Sequence, residues 1–185
     1  ARLVEFMNTL KKSGKALTIG LSNFQSQDLT LLGEKIKTFS MNEVPYSLLD
    51  RAYEGDTLNL CKNADMPYMA FSPTAQGLLA KPMSREDLEI PTRKHHFLYQ
   101  NPVYPHARIV WETVRDVANE ICCKPVEVAL AWVLTRDNIF TAIVGSRKPE
   151  QVQEFAKSTE LKLSPHQLQR LTTASDQFPM VKKGH

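Results

Sequence analysis

Four short runs, at 16–21, 41–44, 67–71 and 139–144, each read as a strand that gives way to a polar, proline- or glycine-containing cluster, with segments of helical periodicity between them. This alternation constrains the chain more than any other feature. Strands separated by helices in sequence pair in parallel, joined by right-handed crossovers. In such an architecture the carboxyl ends of the strands deliver side chains to one face, where ligands are held. The most telling run is Ala16-Leu17-Thr18-Ile19-Gly20-Leu21, which stops at Ser22-Asn23 before a new amphipathic segment begins. A sheet of four parallel strands suits two architectures: a small doubly wound domain, or half of an eight-stranded barrel, which needs about 250 residues when whole.

The helices are read from spacing and caps. Leu3, Phe6/Met7 and Leu10 recur on one face, with Gly14 just past the end as a stop signal. Ser26 is the expected N-cap of a helix carrying Leu29, Leu32 and Ile36. Tyr46 to Arg51 reads as a connecting turn, and 54–64 as a helix with Leu58 and Cys61 inward. Helix 106–121 carries Ile109, Val110, Val114, Val117 and Ile121. Pro125 opens helix 125–135, whose Val128, Ala129, Ala131, Trp132 and Leu134 pack inward. A helix over 149–157 follows the last strand, and Ser164-Pro165-His166-Gln167 is a capping box opening a final helix to about Ser175. Between them, 72–104 breaks the rhythm with Pro73, Pro82, Pro91 and Pro102, and Pro105 just beyond. A stretch that long without periodicity reads as a functional loop.

Composition narrows the function class. Of 185 residues, 42% are hydrophobic and 23% charged, enough apolar material for one domain with a core. A net charge of +3 with dispersed Lys and Arg argues against a nucleic-acid partner. No run approaches the roughly 20 apolar residues of a membrane span, so no membrane partner is expected. Ala1-Arg2-Leu3-Val4-Glu5 opens a helix pattern rather than a secretory signal, and a cytoplasmic location is expected. Cys61, Cys122 and Cys123 lack metal-site spacing and read as thiols in a reducing compartment. The five histidines offer no H-x-x-x-H pair; His95-His96 reads as a solvated loop pair and His185 as a tag remnant, so no metal is assigned.

Five segments together resemble the aldo-keto reductase family. They are Gly14-Lys15 with Ile19-Gly20-Leu21-Ser22-Asn23-Phe24; Asn42-Glu43-Val44-Pro45-Tyr46; Ala70-Phe71-Ser72-Pro73 with Gln76-Gly77-Leu78-Leu79; Val128-Ala129-Leu130-Ala131-Trp132; and Ile143-Val144-Gly145-Ser146-Arg147. They stand in the family's order and cover nearly the whole chain. The resemblance implies an α/β fold that is the C-terminal half of a (β/α)8 barrel. Residues 1–185 would form one domain, strands 5 to 8 with their helices, and the N-terminal half would be absent. The family's catalytic aspartate, tyrosine, lysine and histidine have no matching positions here, so no catalytic residue is assigned.

The resemblance further implies an NADP(H) site. Ser22 and Asn23 would hydrogen-bond the nicotinamide carboxamide. Glu43 stands where the family usually has glutamine; an ionised glutamate only accepts, which either reorients the ring or leaves it accepting from the carboxamide NH2. Phe71 replaces the usual tyrosine and would stack on the nicotinamide; its alternative is a core aromatic. Ser72, Gln76 and Gly77 would cradle the pyrophosphate, with Thr74 in place of a leucine, and a loop containing Arg93, His95, His96, Phe97 and Tyr99 would close over cofactor or substrate. Gly145, Ser146, Arg147 and Lys148 precede a helix N-terminus and would hold the 2′-phosphate of NADP. Gln151 and Glu154 would contact adenine, with Phe155 in place of an asparagine. The activity implied is reduction of a small aldehyde or ketone by NADPH. A non-catalytic half-barrel that binds cofactor or a partner is the second reading; a flavodoxin-like domain is disfavoured, because 16–21 lacks such a fold's phosphate loop. As a half-barrel the chain would present unpaired edges and associate with itself or with its missing half.

Overall fold

The computed structural model describes residues 2–178, so the expectation for His185 lies outside the described residues. Four strands, β1 (Leu21–Ser22), β2 (Asn42–Pro45), β3 (Tyr68–Phe71) and β4 (Ile139–Ile143), form one parallel sheet in the order β1-β2-β3-β4. The helices are α1 (Arg2–Lys12), α2 (Ser26–Leu32), α3 (Asp56–Asn63), α4 (Arg85–Glu89), α5 (Pro91–Lys94), α6 (Val103–Glu120), α7 (Pro125–Leu134), α8 (Pro149–Lys157) and α9 (Pro165–Asp176). The expected sheet, its strand order and its parallel sense are all present.

Strand side chains alternate between two environments. Leu21, Asn42, Val44, Tyr68 and Ala70 are buried against helices. Ser22, Glu43, Met69 and Thr141, followed two residues on by Pro45, Phe71 and Ile143, lie on the opposite face and are half-buried or exposed. One buried cluster joins α1, α2 and α3 to the sheet through Val4, Leu29, Ile36, Val44, Cys61 and Tyr68. A larger one centres on α6, α7 and α9 through Val110, Val114, Val117, Trp132 and Leu171. Each such aliphatic side chain, fully buried, contributes about 1.5–3 kcal/mol. Helix α7 is apolar apart from Glu127, and every residue from Val126 to Val133 is buried, because β4, α6 and α8 all pack on it. The expected inward set was therefore too small, although Leu134 is only half-buried. The Trp132 indole N–H donates to Thr172 Oγ1 at 3.2 Å and ties α7 to α9.

Several boundaries moved for identifiable reasons. The first strand was expected over 16–21, but its ladder holds only Leu21 and Ser22. It is an edge strand whose one partner, β2, begins at Asn42, so most of the preceding residues have nothing to pair with, and Leu17 is 89% exposed. Helix α2 is capped by Gln25 with Asp28 rather than by Ser26. It stops at Gly33, whose φ of +55° suits a residue without Cβ, and continues as a 3-10 turn to Thr38 that still buries Ile36. Helix α6 starts at Val103, three residues early, because Pro105 falls in its first turn, where no intrahelical N–H is required. The 72–104 stretch is not structureless: tight turns lead into α4, α5 and a 3-10 turn at Phe97–Tyr99.

Candidate cofactor site at the carboxyl edge of the sheet

In-register pairing places Ser22 directly beside Glu43, with Met69 next to Glu43 and Thr141 beyond. Phe71, half-buried, stands one row further toward the strand ends between Pro45 and Ile143. Ser22, Asn23, Glu43 and Phe71 thus come together at one edge, on the face away from the helices. Asn23 Nδ2 donates to Ser22 Oγ at 3.1 Å, so the two side chains form a pre-set pair. Glu43 makes no hydrogen bond or ion pair through its carboxylate among the described residues.

What holds Ser22-Asn23 in place is a residue the sequence reading passed over. Asn42 is fully buried on the helix side of β2; its Nδ2 donates to the Phe24 carbonyl at 2.8 Å and its Oδ1 accepts from the Phe24 N–H at 3.4 Å. Asn23 itself sits at φ +61°, and Tyr53 Oη donates to its carbonyl at 3.3 Å. The signal was present: in Asn42-Glu43-Val44 the two outer residues share a face, so a polar group lies in the apolar register. Replacing Asn42 with alanine leaves a buried carbonyl unsatisfied and is expected to cost about 2 kcal/mol. By thermal unfolding this is a fall of roughly 4–8 °C; a fall under 2 °C would count against the clamp.

The segment after β3 is built from left-handed turns. Ser72, Ala75, Gln76 and Gly77 have φ of +51°, +50°, +59° and +93°. The N–H groups of Ala75, Gly77, Leu78 and Leu79 close turns onto carbonyls of Ser72, Thr74 and Ala75. Those four amides are therefore spent, and an anion here would meet the Ser72 hydroxyl and the Gln76 amide, which hydrogen-bond each other at 3.1 Å. Gly77 sits at a φ of +93°, where any side chain is strained, and an added Cβ would lie 3.1 Å from Arg93 Nη2, which would have to give by a few tenths of an ångström. The loop is pinned from beneath: Tyr99 Oη donates to the Gln76 carbonyl at 2.9 Å, and the Arg93 guanidinium lies over the Tyr99 ring while its Nη1 pairs with Asp87 at 2.9 Å. Burial pushes the Tyr99 phenol up to about 12, so it remains a donor at neutral pH. Of the expected closing loop, Tyr99 and Arg93 thus serve as struts, His96 stacks on Phe97, and His95 is exposed.

After β4 the chain runs through Gly145, Ser146, Arg147 and Lys148, all exposed, into α8. Gln151 Oε1 accepts from the Arg147 and Lys148 N–H groups at 2.7 and 3.2 Å. Those two amides are occupied by the chain's own acceptor, so recognition of a phosphate would fall to Ser146 and to the Arg147 and Lys148 side chains, neither ion-paired among the described residues. Glu154 is engaged by Lys124, which leaves Gln151 and Glu154 both hydrogen-bonded at home. Open space surrounds Gly145, where a Cβ would meet nothing within 4 Å. Taken together, the donor set fits a nicotinamide dinucleotide. A carboxamide would meet hydroxyl, amide and carboxylate groups, a planar ring an aromatic face, and a phosphate two cations.

A second group the sequence did not suggest anchors the segment after β2. Arg51, 5% exposed, donates to Glu54 through Nε at 2.8 Å and Nη2 at 2.7 Å, and through Nη1 to Asp176 at 2.6 Å and Ser175 at 3.4 Å. Tyr46 Oη also donates to Glu54, the Tyr46 ring stacks with Trp132, and Ser175 Oγ donates to the Leu48 carbonyl at 2.6 Å. Burial alone would raise the Glu54 carboxyl, but the hydrogen bonds from Arg51 and Tyr46 outweigh it and hold it below its ordinary value. No local pattern marks Arg51, because its partners on α9 lie 124 and 125 residues away.

Comparison with known proteins agrees with this architecture. The model of the Aldo/keto reductase family matches residues 1–176. An NADH-specific methylglyoxal reductase of Escherichia coli is 28% identical over 89% of this chain and 50% of its own length. The oxidoreductase YrpG of Bacillus subtilis is 31% identical over 95% of this chain and 53% of its own. The chain thus spans about half the length of the curated relatives it matches. Among solved structures, a glycerol dehydrogenase from Gluconobacter oxydans superposes with a TM-score of 0.80 at 21% identity, covering 93% of this chain and 53% of that one. The fold is accordingly that of about half a (β/α)8 barrel, and the chain belongs to the aldo/keto reductase family.

Proposed function

We propose that this chain supplies the cofactor-holding half of an NADPH-dependent reductase of aldehydes or ketones. The observation that carries the reading is the row Ser22–Glu43, with Phe71 one step beyond on the same face, at the carboxyl edge of a parallel sheet. Ser22 and Asn23 orient the carboxamide, Phe71 covers one ring face, Ser72, Gln76 and Gly77 border the pyrophosphate, and Ser146, Arg147 and Lys148 take the 2′-phosphate. Gln151 and Glu154 line the adenine end. When bound, the cofactor supplies the hydride; the residues here position it, which is where binding energy turns into rate. The proton donor comes from outside this set. Exposed Ile143 on the site face of β4, and the open edges of β1 and β4, support packing of this face against further βα units. Among the described residues no helix is long and apolar enough to cross a membrane; three free thiols suit a reducing, cytoplasmic setting.

Titration with NADPH and with NADH, followed by quenching of the buried Trp111 and Trp132, tests this directly. NADPH is expected to bind at least about tenfold more tightly, a difference near 1.4 kcal/mol. Equal affinity, or preference for NADH as in the Escherichia coli relative's name, would remove the 2′-phosphate assignment. The alternative reading is a non-catalytic half-barrel that binds cofactor. Tight binding that is never accompanied by carbonyl reduction would select it, and no binding of either nucleotide would leave a role in partner interaction.

A further inference from the structure

We propose that Glu43 makes this site discriminate between the redox states of the nicotinamide, holding the oxidised, positively charged ring more tightly than the reduced, neutral one. The inference rests on the cofactor placement above and goes beyond it. Across the sheet face that bears the site, the side chains in register are Ser22, Glu43, Met69 and Thr141, then Pro45, Phe71 and Ile143. Glu43 alone among them carries a charge. It is half-buried, and among the described residues no cation and no hydrogen-bond donor is paired with its carboxylate. The two cations assigned to the dinucleotide, Arg147 and Lys148, belong to its phosphate end and follow β4 at the far edge of the sheet. Glu43 is therefore the one charge that the strand row itself brings to the ring end, and the nearby Asp50 and Asp28, which act on Tyr53 beside Asn23, are negative as well.

A carboxylate near the ring attracts the positively charged pyridinium, and the neutral dihydropyridine gains nothing comparable. Hydrogen bonds from Ser22 and Asn23 serve both redox forms alike and cancel in the ratio of their affinities, and whatever preference for the cation the Phe71 ring face adds is common to wild type and a variant at Glu43. Whatever factor that ratio takes lowers the potential of the bound cofactor, by about 30 mV per tenfold for a two-electron couple. The bound cofactor becomes a stronger hydride donor, and its oxidised form leaves more slowly.

The experiment measures dissociation constants for NADP+ and NADPH by calorimetry on the full chain, on Glu43→Gln and on Ser22→Ala. Glutamine keeps the shape and one acceptor oxygen, removes the charge and turns the other oxygen into an NH2 donor, whose effect on the carboxamide is common to both redox forms. For E43Q the ratio of the NADP+ to the NADPH dissociation constant is expected to rise at least about fivefold, while S22A weakens both forms and leaves the ratio within twofold. If both forms bind and S22A weakens both, but E43Q leaves the ratio unchanged within twofold, the charge effect is overturned and the cofactor placement stands. If neither form binds the wild-type chain, or S22A alters neither affinity, the placement itself fails and this inference falls with it.

Discussion

An Arg51→Ala variant is expected to unfold at a midpoint about 10 °C lower, the largest stability loss of any surface-remote substitution considered for this chain. The side chain is buried and carries three charge-assisted contacts, two to Glu54 and one to Asp176. Removing one partner of a buried pair costs more than the pair contributes, because the remaining charge has been desolvated and stays behind; such losses run about 3–5 kcal/mol. Glu54, with a side chain only 17% exposed, is the group left behind, with Tyr46 as its remaining hydrogen-bond donor among the described residues and the Arg136 charge as a weaker support. Asp176, 40% exposed, can turn to water, so Asp176→Asn is expected to cost under about 1 kcal/mol. The sign of the pH effect follows from the depressed Glu54 value. Its stabilisation is present above the ordinary carboxylate range and is lost as pH falls through the folded value, so wild type and Arg51→Ala converge on acidification. Thermal midpoints within 2 °C at neutral pH would mean that the Arg51 cluster does not anchor α9 to the β2 segment.

Arg147→Glu is expected to lower NADPH affinity by about 30-fold or more while changing NADH affinity less than threefold. One charge-assisted hydrogen bond to a phosphate contributes roughly 1.5–3 kcal/mol, and a carboxylate in its place adds repulsion. The selectivity of the loss matters more than its size. Arg147 is exposed and its side chain is unpaired among the described residues, so the substitution strands no buried partner there and fold stability should not move. The backbone N–H groups of Arg147 and Lys148 are already satisfied by Gln151, which concentrates phosphate recognition on side chains and makes the charge reversal decisive. Equal losses for both nucleotides, measured by fluorescence titration at fixed ionic strength, would assign Arg147 to the general electrostatics of the site and not to a 2′-phosphate.

Much of this molecule could be read from its residues. Ser164 with Gln167, Pro125 at a first turn and the run Ile139 to Ile143 each specify a local state within a few neighbouring residues, and each appears where expected. The polar strand ends were legible for the same reason: a strand that stops at Ser22-Asn23 delivers those side chains to its carboxyl edge wherever its partners come from. Less local features escaped. The short ladder of β1 depends on where β2 begins, the early start of α6 on Pro105 being tolerated in a first turn, and the burial of all of α7 on the elements packed around it.

Local periodicity, caps and turn residues therefore determined by themselves the kinds of element, their order and the row of polar groups at the strand ends, because those depend on side-chain spacing alone. Only the tertiary structure decided that Asn42 clamps Phe24, that Tyr99 holds up the Gln76 turn, and that Arg51 reaches α9. Each of those is a hydrogen bond between residues 18, 23 and 125 positions apart, and its strength comes from burial, a property that no stretch of chain possesses until the rest has packed around it.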